Sequence, residues 1–149
     1  MTYVVLQRQN AASNMDLKRL HRWTGLVTVV VFLLTGLYMR WQFPGLYDGN
    51  ETIRYLFRAN HIYLLMAGLL NVGLGLYFVA YPASWRRTLQ RAGSALLLAA
   101  PVILLAAFFL EPPQAMPERP ITAAGLFASL IGTGCHFIAT FSRRRRGEA

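Results

Sequence analysis

The chain is short of charge, of acid and of cysteine. Only 14% of its 149 residues are charged, against roughly 25% in an ordinary soluble protein. Cys135 is the one cysteine, which excludes a disulfide framework and a cysteine-based zinc site within one chain. Six acidic residues face fifteen basic ones. Hydrolytic catalysis needs a nucleophile with its base, or two carboxylates, in one pocket. Here no histidine has an acidic neighbour within a helical turn, and the apolar stretches hold no acid at all.

What is present is apolar, and the length fits one domain. Hydrophobic types make up 55% of the chain. Trp23 to Met39, Ala59 to Tyr81, Ala92 to Leu110 and Pro120 to Ser142 contain no Asp, Glu, Lys or Arg. A spanning helix needs about 20 apolar residues, and in hydrocarbon the backbone must satisfy its own hydrogen bonds. The pattern predicts an all-α integral membrane protein. It is a bundle of four transmembrane helices over about 17–40, 59–81, 90–110 and 120–142, in one membrane domain spanning 1–149. The first block follows polar or mixed residues, lacks a small-residue cleavage site and ends at Arg40, so it reads as a retained helix and not a signal peptide. Met1 to Asn14 is expected to be interfacial or disordered.

The basic residues sort by side. Arg8, Lys18, Arg19, Arg22, Arg86, Arg87, Arg91 and Arg143 to Arg146 share one side, eleven of the fifteen. Arg40, Arg54, Arg58 and Arg119 share the other with Asp48, Glu51, Glu111 and Glu118. The positive-inside rule places both termini in the cytoplasm of a bacterial-type inner (plasma) membrane, with a multi-pass chain between them. The net charge of +9 is then expected to meet anionic lipid. Nucleic acid is not expected, because no aromatics interleave the run Arg143 to Arg146. Four spans free of charge offer a transporter no proton relay and no broken-helix pair.

Trp23, Trp41, Trp85, Tyr38, Tyr55 and Tyr81 fall at span ends, where aromatic rings anchor helices at headgroup level. Small residues recur one turn apart at Ala67, Asn71 and Gly75, at Gly125, Ser129 and Thr133, and at Gly132, His136 and Thr140. Such faces let helices approach closely. They exceed what a single bundle consumes, which predicts a symmetric homodimer weakened by bulk at Gly75 or Gly132. The third helix offers no ligand, and Pro101 is expected to kink it. Pro82 to Gln90 reads as a tight cytoplasmic turn, Glu111 to Pro120 as a stiff link, and Phe43 to Phe57 as the longest link.

Three histidines complete the inventory, and an ionisable residue at membrane depth is a functional hypothesis by default. His21 opens the first span on the cytoplasmic side, His136 lies near the cytoplasmic end of the fourth, and His61 opens the second on the outer side. A histidine with a glycine one turn away suits a flat macrocycle, as at His21 with Gly25 and at His136 with Gly132. Arg22, with Arg19 and Arg143, stands at the edge where propionates need cations. Counted from the outer span ends, His21 and His136 differ in depth by about 5 Å, and His61 lies more than roughly 20 Å away. Without a ligand, His21 would snorkel, His136 would bond Thr133, Thr140 or a backbone carbonyl, and His61 would cap its helix with Asn60. Cys135 reads as a small core residue.

The segment Leu20-His21-Arg22-Trp23-Thr24-Gly25, with Leu34-Thr35-Gly36-Leu37-Tyr38-Met39, resembles the opening helix of small four-helix bacterial membrane cytochromes b. The resemblance implies haem b, electron transfer and exchange with quinone in the bilayer. Those proteins commonly set two haems between four histidines, whereas this chain has three. A second haem would need Met39 or Met66 beside His61, or a pair of His61 residues across a two-fold axis normal to the membrane. The expected function is thus a haem b-binding membrane electron-transfer protein, with His21 and His136 on the iron and His61 for a second or inter-protomer haem. The alternative is a scaffold, assembly factor or accessory subunit without a cofactor.

Overall fold

A computed structural model of the chain describes residues 2–46, 49–79, 84–115 and 118–141. The architecture is all-helical: α1 (Thr2–Leu46), α2 (Glu51–Tyr77), α3 (Ser84–Leu110), a 3-10 turn (Pro112–Gln114) and α4 (Pro120–Phe141). Four stretches are long and apolar enough to cross a membrane: Met15–Gln42, Glu51–Tyr77, Trp85–Gln114 and Pro120–Phe141.

The helix limits depart from the sequence expectation where charge, and not helix-breaking, ended the apolar windows. α1 starts at Thr2 because nothing between there and Gly25 is a glycine or proline; the side chains of 2–14 lie outside the described residues. α2 starts at Glu51. Asn50 caps it, its Oδ1 accepting from the Thr52 and Ile53 amides at 3.1 and 3.4 Å, and Glu51 lies favourably in the first turn. The long link expected over Phe43 to Phe57 is therefore mostly helical. α3 starts at Ser84, so the turn expected over Pro82 to Gln90 is helix from residue 84 onward; Pro82 and the rest of 80–83 lie outside the described residues. Of the link expected over Glu111 to Pro120, residues 111–115 and 118–120 are described. It turns through two left-handed residues, Ala115 and Arg119, with φ of 50° and 44°. α3 runs through Pro101.

Consecutive helices pack antiparallel, α1 on α2, α2 on α3 and α3 on α4. Glycines let them close. A Cβ at Gly25 would stand 2.5 Å from the Val72 amide nitrogen, and one at Gly75 would stand 2.6 Å from that of Arg22. A Cβ at Gly93 or at Gly132 would stand 2.8 Å from the other's carbonyl oxygen. The small-residue faces thus do allow close approach, but inside the chain. Gly75 and Gly132 are consumed there, so the surplus that suggested a homodimer through them is gone. Gly75→Ala should lower stability in detergent by about 1–3 kcal/mol, the cost of overpacking. Gly73→Ala, two residues away in open space, should leave it unchanged or raise it through helix propensity. Unfolding midpoints of the two variants make the comparison.

Met39, Phe57, Leu64, Ala67, Leu104 and Phe108 form the core toward the end of the bundle where α2 and α4 begin. Tyr38, expected in the headgroup belt, instead packs edge-on against Phe108 and Phe109. Trp23, Trp41, Trp85 and Tyr55 are exposed, and Tyr81 lies outside the described residues. α2 and α4 touch little, and among the described residues no Cα of α1 comes within 8 Å of α4. α1 and α4 are thus joined through α2 and α3 and by side chains, not by close backbone packing.

Candidate functional site

Two histidines bring side chains of α1 and α4 together. The His21 ring on α1 and the His136 ring on α4 have centroids 6.3 Å apart and planes at 83°. His21 is fully buried and His136 nearly so. The depth difference counted along the sequence is absorbed, because α1 continues past its apolar window and carries His21 to the level of α4's last turns. The snorkelling expected of an unliganded His21 is excluded by its burial.

Each ring is held from behind. His21 Nδ1 lies 2.7 Å from Asn71 Oδ1. Asn71 is itself buried, and its Nδ2 donates to the Ala67 and Leu97 carbonyls at 3.0 and 2.8 Å. Both amide protons are thereby used on acceptors, which fixes the oxygen toward His21. A neutral His21 must then carry its proton on Nδ1 and its lone pair on Nε2. Nε2 is buried and has no hydrogen-bond partner among the described residues. Such a bare, oriented nitrogen is what a metal ligand requires, with Asn71 as the outer partner that sets the tautomer. His136 is braced differently, with Nε2 3.2 Å from Ser94 Oγ. The partners expected for it were Thr133 and Thr140, but their hydroxyls donate to the carbonyls one turn back, Ser129 and His136.

Asn71 was legible only as a packing position, and Ser94 was missed because the third span had no candidate ligand. The available signal was cost. An Asn in an apolar run needs buried partners as much as a His does.

Phe78, the first residue beyond α2, completes the site. Its ring centroid is 6.4 Å from His21 and 5.8 Å from His136, so it occupies the space midway between the two imidazoles and to one side. Gln90 Nε2 donates to the Val79 carbonyl at 2.7 Å and ties this corner to α3. Two cavities of about 310 and 320 Å³ adjoin His136, and both touch Leu74, Tyr77 and Thr133. Arg22 reaches the Gly75 carbonyl at 3.4 Å at the rim. The room expected beside Gly25 and Gly132 is not there, since neighbouring helices fill it; the open volume lies instead between α2 and α4.

His61 stands apart. Asn50, and not His61 with Asn60, caps α2, and His61 lies well inside that helix. It is roughly 15 Å along α2 from the level of Asn71. It packs on α1, away from the groove lined by Met66 against α4, while Met39 is buried in the core. Asn60 instead joins a polar cluster at the start of α4, where its Oδ1 accepts from Arg119 and its Nδ2 donates to the Ala107 carbonyl at 3.1 Å. Glu111, expected at the surface, is buried. It accepts from the Ile121 and Thr122 amides at 2.6 and 3.0 Å and from the Thr122 hydroxyl. Pro120 lacks an N–H, so this carboxylate satisfies the first free donors of α4, where the helix dipole also favours it. Glu111→Ala should cost about 1–2 kcal/mol of stability, with faster amide exchange at Ile121 and Thr122 as the local signature.

Among the described residues, no group of three or more His, Cys, Asp or Glu is placed to share a metal ion. No protein-family model, curated protein or solved structure matches the chain.

Proposed function

We propose that the chain is a multi-pass membrane protein with both termini in the cytoplasm, which binds haem b and transfers electrons within the bilayer. Its burial pattern supports insertion. Val27, Val30, Leu33 and Leu34 on α1 are exposed, while His21, Thr28, Thr35, Asn60, Asn71 and Ser94 are buried, the inverse of a water-soluble bundle. Reporter fusions test the topology. A cytoplasmic reporter should be active at Ala149 and a periplasmic one in the link at Gly49; periplasmic activity at Ala149 would contradict it.

One observation carries the haem reading: a buried imidazole pair in which His21 Nε2 has no hydrogen-bond partner among the described residues. The His21 and His136 rings, with centroids 6.3 Å apart, would hold the group from α1 and α4. When bound, haem supplies one-electron chemistry at its iron. The chain's part is to orient His21 through Asn71, to hold His136 with Ser94, to line the adjoining space with Leu74, and to offer Arg22 at the rim. The adjoining cavities fall in the size range of small-molecule sites, roughly 300–1,000 Å³. A macrocycle needs the place of Phe78. That residue follows the helix end, with φ −59° and ψ 122°, so its ring can swing aside without unwinding α2. Quinone is the proposed exchange partner.

The same Phe78 favours the second reading, a cofactor-free scaffold or accessory subunit in which the three rings simply pack. Haem titration separates them. A saturable Soret shift supports the cytochrome, and its absence supports the scaffold.

A further inference from the structure

We propose that Pro101 is a positioning residue of the histidine pair. It withholds an amide proton from its own helix, which frees the Leu97 carbonyl to orient Asn71, and Asn71 sets which nitrogen of His21 is bare. What this does for haem rests on the reading above; the hydrogen-bond chain itself does not.

An α-helix pairs each carbonyl with the amide four residues further on. For Leu97 that residue is Pro101, which lies inside α3 and has no N–H, and whose ring crowds the same carbonyl. The Leu97 carbonyl therefore lacks its helical donor where α3 is deeply buried. Leu97, Ala100 and Leu104 are at most 1% exposed, and a buried carbonyl without a donor is costly. It finds one across the bundle in Asn71 Nδ2 of α2, at 2.8 Å.

Two other asparagine bonds show what is particular about this one. Asn71 Nδ2 also donates to the Ala67 carbonyl at 3.0 Å, and Asn60 Nδ2 donates to the Ala107 carbonyl at 3.1 Å. Ala107 already accepts from the Glu111 amide. Ala67 stands four residues before Asn71, whose own amide is its helical donor. Both are second bonds to carbonyls already served. The bond to Leu97 is the shortest of the three, and it goes to the carbonyl that has no helical donor.

The orientation of Asn71 follows. A flipped carboxamide would turn Oδ1 onto these two carbonyl oxygens. It would also donate to His21 Nδ1 and move the ring's proton to Nε2. Held as it is, Asn71 Oδ1 lies 2.7 Å from His21 Nδ1, and Nε2 has no partner among the described residues. A ring fixed in that form needs no rearrangement before it meets iron. Ser94, three residues before Leu97, holds His136 directly. α3 offers no ligand, yet one face of it sets both imidazoles.

The test follows the ring ¹⁵N resonances of His21 in full-length protein without haem, in lipid nanodiscs. Pro101→Ala returns an amide proton to the Leu97 carbonyl. L-lactic acid at position 101, joined through an ester, has the open chain of alanine but no N–H. The wild-type ring should carry its proton on Nδ1. Pro101→Ala should raise the population of the other tautomer about five- to tenfold, the weight of one hydrogen bond, and the ester should match the wild type. In an Asn71→Leu background, Pro101→Ala should add nothing, because the link through which it acts is gone. A wild-type ring protonated on Nε2, or an unchanged ratio in Pro101→Ala, overturns the proposal. So does an ester that behaves like alanine, or an effect that survives Asn71→Leu. The readout does not need haem, so the expected pattern in a colourless protein would sustain the role of Pro101 while the cytochrome reading fell.

Discussion

His21→Ala is expected to yield protein that neither carries haem nor takes it up. His21 is the only one of the three histidines that is fully buried with a bare, oriented nitrogen. Removing it removes the ligand and leaves Asn71 Oδ1 unpaired in the interior. His136→Ala should also destroy the six-coordinate low-spin spectrum that two imidazoles impose. It should do so less completely, leaving a weakly held five-coordinate form on His21. His61→Ala should spare the spectrum, because its ring packs on α1 roughly 15 Å along α2 from this pair. Arg22→Ala should weaken retention only mildly, since the guanidinium sits at the rim. The check is the absorption spectrum of each variant after haem titration. Loss of the pigment in His61→Ala alone would move the site to the outer half or between protomers.

Asn71→Leu carries the second large effect. It deletes the acceptor that holds His21 in its Nδ1–H form and the donor that joins α2 to the Leu97 carbonyl of α3. Loss of such an outer partner typically costs 10–100-fold in metal affinity, and haem affinity should fall in that range. A packing role alone would not change which ring nitrogen is protonated. ¹⁵N spectra of His21 without haem therefore separate the two roles. The wild-type ring should show one tautomer, and Asn71→Leu should show a mixture of both. A single unchanged tautomer in the variant would remove Asn71 from the mechanism, leaving it a packing residue.

The spans were legible because hydrocarbon imposes so plain a pattern. Long uncharged blocks gave the four helices and their antiparallel order, and the histidines that could meet followed from that order. The helix limits were less legible. Glu51, Arg54 and Arg58 end an apolar window without ending a helix, and Asn50 supplies a cap that hydropathy does not register. The partners of the histidines were hidden for a different reason. Asn71 and Ser94 act through the direction of a single proton or lone pair, which depends on packing between helices. Glu111 looked like a surface acid until Pro120 and the start of α4 folded over it. Gly25 and Gly132 suggested room for a ring, but in a closely packed bundle the space beside a glycine belongs to the nearest helix.

The central claim is that His21 of α1 and His136 of α4 together hold haem iron. The most direct test is a visible absorption spectrum of the purified full-length protein, oxidised and then reduced, before and after haem is added. The account predicts a Soret band that shifts on reduction and sharp α and β bands of a low-spin bis-imidazole iron, lost in His21→Ala. A colourless protein in which added haem gives no Soret shift would contradict it.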